Sequence, residues 1–292
     1  MHSTTAPWRF VIACAQAPRQ TGRETRTKAK PMQDIIDLTR YPLDRPDNAD
    51  WQTLVSECRD TLARDGLFNL PGFLRPDAVT RAVKTLTPLF ASDAFTHSRQ
   101  HNIYFKPNLP DLPSDHPALR QVTTVNHTLC ADQLSQTDLT TLYNWPPFAG
   151  FLAAVMGRKQ LYPMDDPLAP INAMAYRDGE SLNWHFDRSE FTTTLLLQAP
   201  QAGGAFEYVR DLRTEVDANY DGVAALLSGK IEPTTMPLQA GTLNVFRGRN
   251  TAHRVTPVSG PADRIIVVFS YFDRPGVVFS ASERLGFYGR AG

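Results

Sequence analysis

Cysteine is scarce in this sequence, and its three positions exclude two classes of protein. Cys14, Cys58 and Cys130 are odd in number, far apart and without a CxxC spacing. They therefore provide neither a disulfide framework nor a cysteine-based zinc site. So few unpaired cysteines are typical of a reducing compartment, and we expect the protein to be cytoplasmic.

Long apolar runs and an excess of charge of one sign are also missing. No stretch of about 18 apolar residues occurs, so the sequence predicts no membrane-spanning helix. Thirty basic and thirty acidic residues give a formal net charge of zero, which argues against nucleic acid as a partner. A hydrophobic share of 42% and a charged share of 21% are those of an ordinary globular protein. Nothing in these totals indicates the oligomeric state.

The first 31 residues differ from the rest of the chain. They hold six basic residues against one acid, Glu24, and their apolar patch FVIACA is too short for a signal-peptide core. We expect a disordered basic tail, a transit peptide, or sequence upstream of a true start at Met32. The remainder, 32–292, is predicted to be a single domain.

The first half of that domain, 32–160, is predicted to be mainly helical. Residues 51–66 place apolar side chains at helical spacing and end at Gly66. Residues 75–90 begin with Pro76 and place Val79, Val83, Leu86 and Phe90 along one face. A further helix is predicted over 148–157, and the proline-rich segment 104–117 is predicted to be a loop.

From about residue 161 the pattern changes to short segments rich in β-branched and aromatic residues. Helices followed by a run of strands favour a mainly β fold with helices (α+β), a sandwich or barrel of mostly antiparallel strands. Residues 211–230 interrupt the strands as a helical insertion. The predicted strand segments are 171–179, 183–189, 190–200, 203–209, 241–248, 253–258 and 264–276.

A histidine and an aspartate stand two residues apart in the segment NWHFDRS. On a strand, His185 and Asp187 would point to one face and offer two ligands to a divalent metal. His253 is the only later histidine, and it lies in a strand-like context. Two histidines and one carboxylate form the facial arrangement that suits non-haem Fe(II). Taken alone, each of these residues is more often an ordinary strand or core residue.

Arg264 opens the apolar strand RIIVVFSYF, eleven residues after His253. A buried guanidinium needs a partner, because an unpaired charge in the interior is very costly. A planar carboxylate is its natural bidentate partner. The carboxylate could belong to one of the protein's own acids or, beside a metal, to a cosubstrate.

This combination of residues resembles the Fe(II)/2-oxoglutarate-dependent oxygenases. The segment GTLNVFRGRNTAHRVTPV is similar to the family pattern G-x-L-x-x-F followed by H-x-V-x-P-V, and AGGAFEY is similar to the preceding turn. The resemblance covers roughly 170–275. HFDRSEFTTTLLLQAPQAGGAFEY and VFSYFDRPGVVFSASERLGFYGR further resemble the subgroup of free-amino-acid hydroxylases and radical halogenases.

The resemblance implies a double-stranded β-helix (jelly roll) core over 161–292, flanked by N-terminal helices over 32–160 that act as support and lid. It also implies three protein ligands to Fe(II), with 2-oxoglutarate and O₂ as cosubstrates: His185, Asp187 and His253. Arg264 would hold the distal carboxylate of 2-oxoglutarate, and the Tyr176 hydroxyl would lie against the same cosubstrate.

Candidate substrate contacts follow from strand alternation and from the segment before His253. Asn183 would share a face with His185, and Ser270 would share one with Arg264. The segment RGRN would place cations and an amide at the rim of the barrel. The candidates are Asn183, Arg247, Asn250 and Ser270, with Arg249 as a further rim residue and Arg99 and His101 as alternatives from the lid region.

The predicted function is hydroxylation of an unactivated C–H bond of a small molecule, a free amino acid or a derivative, with release of succinate and CO₂. A radical halogenase is the alternative within the same chemistry. The related halogenases replace the aspartate by a small residue such as glycine, whereas this chain has Asp187. A non-catalytic metal-binding jelly roll would leave Arg264 without a role. Oxygenation of a macromolecule is a further alternative.

Overall fold

The computed structural model describes residues 30–106, 109, 112–237 and 239–292. The tail predicted over 1–31 therefore lies almost wholly outside the described residues. Six α-helices occur in the described part of the chain. They are α1 (Ala49–Asp65), α2 (Pro76–Ser92), α3 (Asp138–Tyr143), α4 (Pro146–Val155), α5 (Tyr220–Leu227) and α6 (Ala281–Tyr288).

The two long helices begin and end within two residues of the predicted bounds. The Asn48 side chain accepts from the backbone N–H of Asp50 at 2.8 Å and caps the start of α1. Gly66 ends this helix with φ +79°, a left-handed conformation that glycine adopts without strain. The buried face of α2 differs slightly from the prediction. It consists of Ala78, Ala82, Leu86 and Phe90, while Val79 and Val83 pack beside it and are only partly buried.

The described residues also form fifteen strands, and every segment predicted as a strand after residue 161 overlaps one. Strands in the N-terminal half are β1 (Leu67–Leu70), β2 (Phe95–His101) and β3 (Val122–Leu129). The remainder are β4 (Tyr162–Pro163), β5 (Ile171–Tyr176), β6 (Leu182–His185), β7 (Thr192–Gln198), β8 (Ala202–Gly203), β9 (Phe206–Val209), β10 (Thr234–Met236), β11 (Leu243–Phe246), β12 (Ala252–Val255), β13 (Val258–Ser259), β14 (Arg264–Phe269) and β15 (Tyr271–Phe272).

Two antiparallel sheets form the core of the fold. The larger has seven strands in the order β1-β11-β7-β14-β5-β3-β2, and the smaller has four in the order β10-β9-β12-β6. Both sheets contribute side chains to a single cavity between them. This arrangement confirms the predicted jelly roll with helices packed on one side.

The N-terminal half supplies more of the sheet than the sequence predicts. The strands β1, β2 and β3 belong to the seven-stranded sheet, so residues 32–160 are more than helical support. The inner face of β2 carries His97, Arg99 and His101, and that of β3 carries threonine and asparagine. Because these strands turn polar side chains inward, they lack the apolar alternation by which a half-buried strand is recognised.

Strand alternation divides the large sheet into two faces. Ala173 and Ala175 of β5, like Ile265 and Val267 of β14, pack against α1, α2 and α4 in the main hydrophobic core. The intervening residues of the same strands face the cavity instead. The helices thus support the sheet from outside. No helix in the described ranges is long and apolar enough to cross a membrane.

Candidate metal centre and cosubstrate pocket

The strand register brings the two central histidines together. β6 and β12 are antiparallel neighbours, and His185 stands directly opposite His253 across the ladder. Their ring centroids are 4.1 Å apart and both side chains are buried. The two histidines are 68 positions apart in the sequence, so only this pairing makes them one site.

The third residue, Asp187, lies two positions beyond the end of β6. Its backbone N–H donates to the carbonyl of Gly248 at 3.0 Å, and the Thr192 hydroxyl donates to its Oδ2 at 2.5 Å. A Cβ at position 248 would collide with the Asp187 carboxylate. Residue 248 must therefore be glycine for the carboxylate to turn toward the histidines.

Three potential ligand atoms converge at this point. Oδ1 of Asp187 is 3.4 Å from Nε2 of His185 and 3.5 Å from Nε2 of His253. One ligand atom from each residue lies within 4.8 Å of those from the other two. Each imidazole donates from Nδ1 to a main-chain carbonyl, that of Asn183 at 2.8 Å and that of Thr251 at 2.9 Å. This assigns the proton to Nδ1 and leaves the Nε2 lone pairs directed at one position.

The electrostatics of the cluster favour the protonation states that bind metal. Burial and the neighbouring His253 lower the pKa of His185, so its imidazole is neutral at physiological pH. Burial by itself would raise the pKa of the Asp187 carboxyl. The proximity of His253, and then of His185, outweighs this effect and holds the pKa of Asp187 well below its usual value, so the carboxylate is charged. Two imidazole nitrogens and a carboxylate fit a non-haem Fe(II) ion, whose remaining positions stay open to other ligands.

Arg264 is 2% exposed at the start of β14, on the cavity face. Its Nε donates to the Gly204 carbonyl at 3.1 Å, but Nη1 is buried without a hydrogen-bond partner in the described structure. Burial lowers the pKa of this guanidinium to about 10. No described carboxylate forms an ion pair with Arg264, and its guanidinium carbon lies 5.9 Å from the ring centroid of Tyr176. The planar carboxylate of a bound ligand would fit this unpaired guanidinium and form two parallel hydrogen bonds with it.

Tyr176 stands opposite Arg264 in the β5–β14 ladder and also lines the cavity. The side chain is 1% exposed, and its hydroxyl reaches only the sulfur of Met174, at 4.0 Å. Such a contact is a weak substitute for an oxygen acceptor. The hydroxyl is therefore available to a ligand bound by Arg264.

The cavity between the sheets has a volume of about 330 Å³. It contains the three convergent residues at one side and Arg264 with Tyr176 at another. Phe105, Val268, Phe279 and Phe287 contribute apolar surface to the remaining wall. A pocket with apolar walls and a few directed polar groups is typical of small-molecule sites.

The structure separates the candidate substrate residues into three groups. Ser270, Arg99 and His101 line the main cavity. Asn250 and Arg249 line a second cavity of about 730 Å³ that also reaches Asp187. Asn183 and Arg247 line neither of these two cavities, and their role as substrate contacts stays a prediction. The Asn183 amide donates to the Thr123 carbonyl at 2.8 Å, and this interaction turns the side chain toward β3.

Three cavity residues were missed from the sequence. Thr192 fixes the Asp187 carboxylate, and the Oδ1 of Asn244 is buried without a described hydrogen-bond partner. His97, on β2, likewise has a buried and unpartnered Nε2. Polar residues inside the apolar strands 190–200 and 241–248 were the available signal for the first two. No comparable signal existed for His97, since its strand was not predicted.

The fold is shared with several solved structures, two of which are described as alpha ketoglutarate dependent. The non-haem alpha ketoglutarate dependent carbocyclase SnoK from nogalamycin biosynthesis matches with a TM-score of 0.52 at 14% identity, over 78% of this chain and 89% of that one. AviO1 from Streptomyces viridochromogenes Tue57 gives 0.51 at 17% identity, over 76% and 96%. The alpha ketoglutarate dependent epimerase SnoN gives 0.51 at 15% identity, over 76% and 83%. At such low identities these similarities establish the fold.

The match of residues 51–277 to a family model, together with the fold and the convergent His, Asp and His residues, identifies an oxygenase of the Fe(II)/2-oxoglutarate-dependent superfamily, an enzyme class that uses Fe(II), 2-oxoglutarate and O₂. Within it, residues 51–277 match the family described as Halogenase D, and the chain belongs to that family. The resemblance derived from the motifs is thereby confirmed. A search of curated proteins found no significant match.

Proposed function

We propose that this chain is an Fe(II)- and 2-oxoglutarate-dependent hydroxylase of a small molecule, an amino acid or an amino-acid derivative. The observation that carries the proposal is the position of the Asp187 carboxylate. Its Oδ1 lies 3.4 and 3.5 Å from the two free imidazole nitrogens, so the chain offers three protein ligands to one ion. His185, Asp187 and His253 would hold the iron.

The cosubstrate would lie between that ion and Arg264. Arg264 would receive the distal carboxylate of 2-oxoglutarate in its unpaired fork, and the Tyr176 hydroxyl would donate to the same group. Bound iron with 2-oxoglutarate and O₂ supplies the oxidation of an unactivated C–H bond, with release of succinate and CO₂. The protein's own contribution is to orient the substrate in the cavity and to exclude water from the reacting centre.

Hydroxylation is favoured over halogenation because the aspartate is present and firmly held. A halide would need the coordination position that the Asp187 carboxylate takes, and it would be repelled by the same negative charge. The Thr192 hydroxyl and the Gly248 carbonyl together fix this residue in place. The family description, Halogenase D, makes a radical halogenase the second candidate.

A non-catalytic metal-binding protein explains less of the structure. It would account for the three convergent residues but not for a buried arginine whose Nη1 has no described partner. An unpaired buried charge costs free energy, and a metal-storage role supplies no reason to retain one.

The test is aerobic incubation of the purified protein with Fe(II), 2-oxoglutarate and a panel of free amino acids and their N-acyl derivatives. Succinate and product masses are followed together. We expect one class of substrates to stimulate succinate formation and to gain one oxygen atom. Matched reactions with Asp187→Ala, or with chelator in place of iron, should lose both signals. Iron-independent succinate formation, or none with the full panel, would contradict the proposal.

A further inference from the structure

The strand that carries His185, β6, has an irregular main chain beside that residue. β6 is an edge strand of the four-stranded sheet, and its ladder partner there is β12. The register of this ladder shifts between Leu182 and His185, so the backbone of Asn183 lies in an irregular part of the pairing. A bulge of this kind leaves a residue of the strand without a ladder partner. Sheet pairing alone therefore does not fix the main chain at Asn183.

A threonine of the other sheet holds this part of β6. Thr124 lies on the inner face of β3, and its Oγ1 accepts from the main-chain N–H of Asn183 at 3.2 Å. The Asn183 amide donates to the Thr123 carbonyl of the same strand at 2.8 Å. The carbonyl of Asn183 in turn accepts from Nδ1 of His185 at 2.8 Å. The Thr124 hydroxyl is thus bonded to the residue that orients the His185 imidazole.

His101 sets the direction of the Thr124 hydroxyl. Its Nδ1 lies 3.0 Å from the Asn102 carbonyl, and its Nε2 lies 2.8 Å from Oγ1 of Thr124. Burial lowers the pKa of His101, so the ring is neutral at physiological pH and carries one proton. Because a carbonyl only accepts, that proton is on Nδ1, and the Thr124 hydroxyl donates to Nε2. The lone pairs of Oγ1 remain available to the N–H of Asn183.

We propose that Thr124 and His101 are positioning residues for the metal ligand His185. They act through the main chain of Asn183, whose carbonyl fixes the Nδ1–H of His185 and so the direction of Nε2 toward the metal position. Hydrogen bonds behind a ligating imidazole hold it in one tautomer and one orientation. The inference rests on the ligand set of the proposed function. It gives the buried hydroxyl and imidazole a role beyond lining the cavity.

Binding of Co(II) to the full chain measures this positioning without turnover. The absorption bands of bound Co(II) report the geometry of its ligands, and a titration followed at these bands gives the Kd. Thr124→Val keeps the shape of the side chain and removes the hydroxyl. We expect the Kd for Co(II) to rise about tenfold, as for the loss of a hydrogen bond behind a metal-bound histidine, and the bands to shift. Thr124→Ser keeps the hydroxyl and should restore both.

Thr128→Val is the matched control. Thr128 lies on the same face of β3, is 3% exposed like Thr124, and donates to Oδ1 of Asn126 at 2.8 Å. Both substitutions remove a buried hydroxyl from one strand, so a fall in Tm common to both variants reports stability rather than positioning. Thr128→Val should leave the Kd and the bands of Co(II) unchanged. An equal rise of the Kd in the two variants, or a wild-type Kd and spectrum in Thr124→Val, would overturn the proposal.

The role of His101 is tested by a double-mutant cycle. His101→Phe keeps an aromatic ring and removes the acceptor of the Thr124 hydroxyl, so it should raise the Kd for Co(II) by less than Thr124→Val does. Because His101 acts through Thr124, the double variant should bind Co(II) no more weakly than Thr124→Val alone. Additive losses, or an unchanged Kd and spectrum in His101→Phe, would remove His101 from the assignment. This variant also keeps the proposal testable if Thr124→Val fails to fold.

Failure of this inference and failure of the proposed function give different results. A wild-type protein that binds no Co(II), or whose affinity for Co(II) survives His185→Ala, would remove the ligand set and the inference with it. Binding of Co(II) that is lost in His185→Ala but unchanged in Thr124→Val would leave the proposed function standing and overturn the positioning role alone.

Discussion

Removing the charge of Arg264 should weaken the binding of 2-oxoglutarate without destabilising the fold. The variant Arg264→Met keeps an unbranched side chain of similar length but eliminates the guanidinium. In the wild type, Nη1 has no described partner and Nε donates only to the Gly204 carbonyl. A bound carboxylate would gain two charge-assisted hydrogen bonds, each contributing about 1.5–3 kcal/mol. Losing about 3 kcal/mol raises the Kd for 2-oxoglutarate about 100-fold.

The same substitution should cost little stability in the cosubstrate-free protein. Burial lowers the pKa of the Arg264 guanidinium to about 10, which means that the charged form is disfavoured in the fold by about 3 kcal/mol. This penalty is fully present below pH 10, since both folded and unfolded chains are then protonated, and it disappears at higher pH as first the folded and then the unfolded chain loses the proton. Methionine removes the penalty but leaves the Gly204 carbonyl without its donor, at a cost of about 1–3 kcal/mol.

The two effects nearly cancel, so the Tm of cosubstrate-free Arg264→Met should lie within about 4 °C of the wild type. The assays are calorimetric titration with 2-oxoglutarate and thermal unfolding. Arg264→Lys should recover only part of the affinity, because an ammonium cannot form the planar fork. Arg254→Met is the matched control, since it removes an arginine paired with Glu207 outside the cavity. Unchanged 2-oxoglutarate affinity together with a large fall in Tm would refute the reasoning and make Arg264 structural.

Three further predictions follow from the same site and from the tail. His185→Ala and His253→Ala should each lose metal binding and turnover while circular dichroism stays unchanged; near-normal turnover in His253→Ala would mean that another residue is the ligand. Tyr176→Phe should weaken 2-oxoglutarate binding about tenfold, the loss of one hydrogen bond to a charged group, whereas unchanged affinity would assign the ring to packing alone. Deletion of residues 1–31 should leave Tm and turnover intact, and a marked fall in either would show that the tail docks on the domain.

The convergent residues could be predicted because their signals are local. His185 and Asp187 stand two residues apart, and strand alternation alone predicts that they share a direction. Arg264 was noticeable because it begins an otherwise apolar strand. The pairing of β6 with β12 could not be predicted from the sequence pattern, since strand register depends on the whole sheet. It became predictable only through the resemblance to a known fold.

The strands β2 and β3, which line one part of the cavity, could not be predicted from the sequence for a physical reason. Strand alternation predicts that Asn183 faces the cavity, but its amide donates to the backbone of β3. The strand β3 was not predicted, because its inward-facing side chains are polar and do not produce the apolar alternation that identifies a strand. The same cause hid the positions of Arg99 and His97 on β2. Residues that bind a polar ligand interrupt the periodicity that reveals strands, so this part of the site is the hardest to predict.

The most direct test of the account is the mass of the product formed by the wild-type enzyme in saturating chloride. The amino acid or derivative that stimulates succinate formation should gain a single oxygen atom, and isotope-labelled dioxygen should supply it. No chlorinated product should form, because the Asp187 carboxylate takes the position that a halide needs. A dominant product with the isotope pattern of chlorine would contradict the account and would mean that Asp187 does not bind the metal.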